Sequence, residues 1–242
     1  MSVTFKVIVV GAGPGGLSTA AALIDAGLKP SEVMILEKGE IGEAWLDYPQ
    51  DTHLLSESSP DHDDNMIAGV KTAEVFPHIP HPSHIMYQKY LAHVAEVKKI
   101  QVQKNTTVQS VVYNPEQKLF WLDDTEGREY TCQFLIWAAG MFCQPNEEMD
   151  SQGCYIHYAR VPYLHEMSEP EVTVVGSANG ASGVLLQLAR PGRVVTLVTS
   201  RPYVVPQPID CLWKEHMQLI KDFESTVYVQ SVFALRASSS AA

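Results

Sequence analysis

Apolar residues fall in short runs along this chain, and the period of each run predicts an element. Lys6-Val-Ile-Val-Val10 is an unbroken β-branched run, which predicts a parallel strand buried on both faces. Pro14 to Gly27 is rich in Ala and Leu with proline in its first turn, and so predicts a helix. Glu32 to Leu36 supplies a second strand, completing a βαβ unit. From Asp47 to Asp64 the chain is polar and acidic, and prolines follow at positions 77, 80 and 82, so this stretch is expected as irregular surface or a loop over a site. Ser83 is the expected N-cap of a helix running to about Val97, with Ile85, Tyr87, Tyr90, Leu91 and Val94 on its apolar face.

Alternation at Thr107 to Tyr113, Leu119 to Leu122 and Tyr130 to Trp137 predicts three strands, the first two joined in a meander around Asn114-Pro115. A second βαβ unit then begins at Glu171. Its strand is Val172 to Val175, its helix starts near Asn179 and ends by Pro191, and Val194 to Val198 is its next strand. The tail Ala237-Ser-Ser-Ser-Ala-Ala242 is low in complexity and expected to fray. The pattern predicts an α/β protein. A Rossmann-like three-layer domain with a small β-meander spans 1–165, and a second, incomplete Rossmann-like domain spans 166–242.

Composition narrows the partners. At 242 residues, with 45% apolar and 19% charged residues, the chain has ample core for globular folding. Its 17 basic against 28 acidic residues leave a net charge of -11, which argues against nucleic acid. Val7 to Val10 is too short for a secretory leader, and no run approaches the ~18 apolar residues of a membrane span. Cys132, Cys143, Cys154 and Cys211 are too scattered for a disulfide framework, and read as reduced thiols of a cytoplasmic protein.

The chemistry concentrates where strand meets helix. Gly11-Ala-Gly-Pro-Gly-Gly16 satisfies G-x-G-x-x-G after a strand and at a helix start. Gly11 would permit the tight turn, Gly13 the approach of a pyrophosphate to the backbone, and Gly16 close packing of helix on strand. Glu37 ends the second strand, where a carboxylate can accept from ribose hydroxyls. The second unit repeats the pattern as Gly176-Ser-Ala-Asn-Gly-Ala181. Arg201, behind Ser200, stands nearly as far beyond Gly176 as Glu37 does beyond Gly11, and arginine suits a 2'-phosphate. The first site therefore suits a dinucleotide with a free ribose and the second NADP(H).

These segments resemble the flavin-dependent pyridine-nucleotide oxidoreductases of the flavin-containing monooxygenase type. Glu37-Lys-Gly-Glu-Ile-Gly-Glu-Ala-Trp45 is similar to that family's ribose acid followed by a Gly-Gly-x-Trp turn, with Glu43 at the second glycine. Trp137-Ala-Ala-Gly140 with Pro145 resembles its Ala-Thr-Gly strand end, with Ala139 replacing threonine. Gly153-Cys-Tyr-Ile-His157 resembles part of the monooxygenase fingerprint, although Ser151 and Val161 stand where aromatics would flank it. The resemblance implies FAD at Gly11, Gly13, Pro14, Gly16, Glu37, Lys38 and Trp45, with Ala138, Ala139 and Gly140 near it. It implies NADPH at Gly176, Ser177, Ala178, Asn179, Ser200 and Arg201, and His157 in the linker, where it either serves the site or only ties the linker down. The implied activity is hydride transfer from NADPH to FAD, followed by oxygen transfer or plain electron transfer to a small-molecule substrate.

Other signals carry less. His78, His81 and His84 recur at every third position, but Pro80 and Pro82 preclude a helix aligning them, and no metal site is expected. Asp61-His-Asp-Asp64 reads as a solvated acidic loop. No Cys-x-x-Cys supports disulfide-reductase chemistry, so a reductase-like flavoprotein without that pair is an alternative; Cys143 is either reactive alone or an inert thiol. Ser18, Ser56 and Ser83 lack a nucleophile-elbow context, which leaves a hydrolase unsupported. The stretch after Arg201 offers one amphipathic helix, Trp213 to Phe223, and one strand, Thr226 to Phe233. That is short of what the resembling family uses to complete the NADPH domain and close the flavin pocket. A noncatalytic nucleotide-binding protein, or one half of a two-chain enzyme, is therefore a second alternative. Weak flavin retention, low activity of the lone chain, and self-association or a partner chain are expected with it.

Overall fold

Parallel pairing organises the first half of the chain in this computed structural model, which describes residues 3–49, 52–141, 156–161, 163–176, 179–188, 193–199 and 227–231. The chain divides into two compact units, Met1–Tyr48 with Glu57–Gly153, and Pro49–Ser56 with Cys154–Ala242. In the first unit the elements are β1 (Val3–Val10), α1 (Pro14–Asp25), β2 (Val33–Leu36), α2 (His84–Val97), β3 (Gln101–Gln103), β4 (Val108–Asn114), β5 (Leu119–Asp124) and β6 (Glu129–Trp137). They form a six-stranded sheet in the order β3-β2-β1-β6-β5-β4. β1 runs parallel to both neighbours, with Val10 opposite Leu36 on one side and Trp137 on the other. The meander strands continue antiparallel from β6.

The alternation along β1 sends its side chains to both faces, and all of Val7, Ile8, Val9 and Val10 are buried. Ile8 and Val10 pack with Leu36 of β2 and with Leu122, Tyr130 and Cys132 of the meander. α1 starts on Pro14, as a proline without an N–H prefers, and ends just short of the expected Gly27. Gly27, at φ +104°, donates to the Ile24 carbonyl at 2.9 Å, and Leu28 to that of Leu23 at 3.1 Å. This left-handed glycine cap stops the helix at Asp25.

α2 begins where Ser83 predicts, the Ser83 hydroxyl accepting from the Met86 N–H at 3.3 Å. Its buried face, however, is His84, Tyr87, Tyr90, Leu91, Val94 and Ala95, whereas Ile85 is 38% exposed. A helix advances about 100° per residue, so the stripe through 84, 87, 91 and 94 leaves position 85 outside. The Tyr90 hydroxyl accepts from the Ile67 N–H and donates to the Val70 carbonyl, both at 2.7 Å, tying the preceding loop segment to the helix. Burial raises the Tyr90 phenol well above its usual range, so it stays a neutral donor. The acidic loop is not all solvated. Asp63 is half-buried and accepts from the Thr72 N–H at 2.5 Å, the Thr72 hydroxyl at 3.2 Å and the Asn65 N–H at 3.0 Å.

Two further elements need side-chain anchors. The Asn114 carboxamide oxygen accepts from Glu116 and Gln117 N–H at 3.0 Å each and closes the β4–β5 turn. Buried Asp124 accepts from the Glu126 N–H at 2.9 Å, the Arg128 N–H at 2.8 Å, the Arg128 Nε at 2.6 Å and the Tyr130 hydroxyl at 3.2 Å. Burial alone would raise its pKa, but these donors outweigh it and hold the carboxyl below 3.8.

The second unit carries β7 (Glu171–Val175), α3 (Asn179–Leu188), β8 (Val194–Thr199) and β9 (Val227–Ser231), the strands forming a parallel sheet in that order. Leu164, Val174, Val184, Leu185, Leu188, Val195 and Leu197 form its core. Buried Arg193 donates to the carbonyls of Glu169 at 3.0 Å, Leu188 at 3.4 Å and Met167, and so satisfies the end of α3. The expected helix Trp213 to Phe223 and the tail 237–242 lie outside the described residues.

Candidate functional site

The first strand-turn-helix junction is fixed by backbone contact. The Gly11 N–H donates to the Leu36 carbonyl at 2.8 Å, and Ala138 N–H donates to the Val10 carbonyl at 2.9 Å, so the ends of β2, β1 and β6 converge on one turn. Gly11 sits at φ +105°, and a Cβ there would lie 2.4 Å from the Ala138 carbonyl oxygen. A Cβ on Gly16 would lie 1.9 Å from the Gly11 carbonyl oxygen. Both positions therefore demand glycine. Gly13 differs: its backbone is ordinary extended chain, and a Cβ would meet nothing within 4 Å. The space beside it is open to the cavity it lines.

That cavity, about 750 Å³, is bordered by Gly11, Gly13, Pro14, Glu37, Lys38, Trp45, Ala138, Ala139 and Gly140. All the positions expected near FAD but one thus meet at a single cavity, and the exception, Gly16, lies behind it as a packing residue. Glu43, Thr106, Thr107, Val108 and Trp137 also line it, which the sequence did not single out as site residues. Only sheet closure brings Thr106 to Val108 beside Glu37. The Thr106 N–H donates to the Glu37 carbonyl at 2.8 Å, and the Glu37 N–H to that of Gln103 at 2.9 Å.

Glu37 is 7% exposed. Its Oε2 accepts from the Ala12 N–H at 2.6 Å and its Oε1 from the Gly39 N–H at 3.1 Å. The acid thus ties the glycine turn to the strand end, a role the sequence did not reveal. A carboxylate can accept about four hydrogen bonds, so roughly half its capacity remains for hydroxyls. No side chain caps the start of α1. Its first N–H groups and dipole are available to an anion.

The aromatic wall of the cavity is held by α2. Trp45 stacks on Tyr48 with ring centroids 5.0 Å apart and meets Tyr87 edge-on at 4.7 Å. His84 Nδ1 lies 2.6 Å from the Trp45 carbonyl and donates to it. Gln88 Nε2 donates to the Ile41 carbonyl at 2.9 Å. His84 is therefore a buried anchor, apart from exposed His78, and among the described residues no three His, Cys, Asp or Glu side chains gather as a metal site. Burial pushes the Cys132 thiol up to about 11, so it is not a nucleophile at neutral pH. Cys143, Cys154 and Cys211 lie outside the described residues.

In the second unit the Gly176 N–H donates to the Val198 carbonyl at 2.9 Å, repeating the bond from Gly11 to Leu36. Gly176 is at φ +136°, and Asn179 opens α3. Register identifies the counterpart of Glu37. Glu37 follows Leu36, the partner of Val10; Thr199 follows Val198, the partner of Val175. Buried Thr199, not Arg201, therefore occupies the strand-end position. Arg201 falls further along the chain. Ser177, Ala178, Ser200 and Arg201 lie outside the described residues. The His157 carbonyl accepts from the Arg160 N–H at 2.8 Å, anchoring the turn Tyr158–Arg160.

Two Rossmann-like units in succession, the first carrying a complete glycine turn and strand-end acid, define the class of protein. Residues 8–211 match the model of the pyridine nucleotide-disulphide oxidoreductases, and the chain belongs to that family. It is 28% identical over 234 residues to cyclohexanone 1,2-monooxygenase from Acinetobacter sp, an alignment covering 90% of this chain and 41% of that protein. The chain spans less than half the length of the curated relatives it matches. Among solved structures, bacillithiol disulfide reductase from Staphylococcus aureus shares its fold with a TM-score of 0.71 at 22% identity, over 96% of this chain and 67% of that one. A flavin-containing monooxygenase from Stenotrophomonas maltophilia does so with a TM-score of 0.65 at 22% identity, over 84% and 60%. Among the described residues, no helix is long and apolar enough to cross a membrane.

Proposed function

We propose that this chain forms the nucleotide-binding portion of a cytoplasmic FAD-dependent oxidoreductase, one that takes hydride from NADPH and acts on a small molecule with monooxygenase-like chemistry. The observation that carries this reading is the cavity at the ends of β1, β2 and β6, where open space beside Gly13, uncapped donors of α1 and the spare acceptor capacity of Glu37 coincide. These features fit a dinucleotide. The α1 N–H groups would meet its pyrophosphate, Glu37 its ribose hydroxyls, and the turn ending in Trp45 would wall the pocket. The chemistry supplied by FAD when bound there is two-electron redox, and the protein's share is to hold the reactants in place and keep water out.

Residues 1–165 would hold FAD in this way, and 166–242 would hold NADPH at Gly176, Ser177, Ala178, Asn179, Ser200 and Arg201. Family membership supports redox chemistry, and the similarity to a cyclohexanone monooxygenase supports oxygen transfer over thiol exchange. Titration of the chain with FAD, NADPH and NADH tests the assignment. A single charge-assisted pair to the 2'-phosphate is worth about 1.5–3 kcal/mol, so NADPH should bind roughly tenfold to hundredfold tighter than NADH, and Arg201→Ala should remove most of that preference. Equal affinities of the parent for the two nucleotides would contradict the second site, and failure to bind FAD the first.

A further inference from the structure

Among the described residues that leave a large apolar side chain exposed, Trp137 is the one that lines the cavity. It is 63% exposed, an indole standing at the end of β6 with most of its surface uncovered. Phe134, on the same strand, is exposed too but does not line the cavity.

Register fixes where the indole stands. Residues paired across a parallel ladder point to the same face of the sheet. Val10 is paired with Leu36 on one side and with Trp137 on the other, so the three side chains form a row across the ends of β2, β1 and β6. Val10 and Leu36 belong to the buried cluster against which Val108 packs, so the row lies on the face that the meander covers. Leu36, Val10, Val108 and Trp137 all line the cavity, with Thr106 and Thr107 beside them.

The cavity therefore has two halves. The glycine turn and the start of α1 supply polar backbone groups, and the row with Val108 supplies an apolar surface. Glu37 stands where they join, directly after Leu36, with its carboxylate tied to the Ala12 and Gly39 N–H groups and its carbonyl accepting from the Thr106 N–H at 2.8 Å. An exposed indole gains dispersion and buries apolar area when a flat ring lies against it. Glu37, Lys38 and Glu43 also line the cavity, but a neutral ring carries no net charge for them to attract or repel.

We propose that Trp137 is the stacking platform for the adenine ring of the bound dinucleotide, which the protein recognises there by its face. This rests on the cavity being the FAD site. A ribose held by Glu37 carries adenine on a single bond, whereas the flavin ring lies beyond the pyrophosphate. Neighbouring strands are about 5 Å apart, so Trp137 stands about 10 Å from Leu36, a span that a ribose and its base together cover.

Equilibrium titrations of the full chain test this for the parent, Trp137→Phe and Trp137→Ala. FAD is followed by quenching of flavin fluorescence. ADP, which has the adenine half without the flavin, is followed by calorimetry. Stacking of a base on an aromatic side chain is worth about fivefold to a hundredfold in affinity. Trp137→Ala should weaken FAD and ADP alike by that factor, and Trp137→Phe, which keeps a flat face, should stay within about threefold of the parent. Replacing an exposed side chain leaves no hole in the core, so all three proteins should fold alike. Equal affinities of the parent and Trp137→Ala would overturn the inference while leaving the cavity as a flavin site. So would a loss confined to FAD, which would set the indole against the flavin, or failure of the parent to bind ADP. No FAD binding by the parent would overturn both.

Discussion

The two glycine turns make the same backbone bond and differ in the room they leave. Gly11 and Gly176 both sit at positive φ and donate to the carbonyl at the end of the neighbouring strand, at 2.8 and 2.9 Å. Behind the first, Gly16 lies so close that a methyl group would fall 1.9 Å from the Gly11 carbonyl oxygen. Behind the second, the corresponding residue is Ala181, so that junction already accommodates a methyl group. The first turn is also tied by Glu37, and the second has Thr199 at that register. A glycine is thus required where helix and turn close tightly, and a motif carrying an extra methyl group marks a slightly wider junction rather than a failed one.

Adding that methyl group to the tight turn should have the largest effect. Gly16→Ala forces Cβ into backbone and should cost about 2–4 kcal/mol, seen as a lower urea midpoint. A loss under about 0.5 kcal/mol would mean that the two turns are equally roomy.

Asp124 gives an intermediate effect, in the first unit and outside the turn. Asp124→Asn replaces one acceptor oxygen by a donor among four donors and should cost about 1–3 kcal/mol at neutral pH. Its carboxyl pKa is lowered by folding, so its ionised form contributes stability above 3.8 that is lost as the pH falls through the lower native value. The gap between parent and variant should therefore close below pH 3.8. A gap constant from neutral pH to acid would show that the charge plays no part. The smallest effect belongs to the second turn, where Ala181→Gly should cost only about 0.5–1 kcal/mol, the intrinsic penalty of glycine in a helix. A cost near that of Gly16→Ala would contradict the looser packing.

Both βαβ units are legible in the sequence because buried parallel strands read as β-branched runs and the turns between them as glycine patterns. β3 is not. Gln101–Gln103 is short and polar, and becomes a strand only because β2 offers it an edge. The glycine pattern also locates most of the cavity, but Thr106, Thr107, Val108 and Trp137 reach it through pairing of segments far apart in sequence. Counting along the chain from Gly176 points to Arg201 as the match for Glu37, whereas strand register points to Thr199. Spacing alone cannot count the residues in a loop. Ile85 departs from expectation for the opposite reason: its hydrophobicity assigns it to the buried stripe of α2, and His84 occupies that stripe because its imidazole bonds the Trp45 carbonyl.

Everything proposed for the first unit depends on the open space beside Gly13 receiving a dinucleotide. Valine fits the backbone at this position without strain, since the chain is extended and nothing lies within 4 Å of its Cβ. Gly13→Val should therefore fold like the parent while placing a branched side chain in the space beside the turn. The direct measurement is the quenching of flavin fluorescence as each protein is titrated with FAD at equilibrium. The parent should give a saturable quench and Gly13→Val none; equal quenching by both, or none by either, would contradict the assignment.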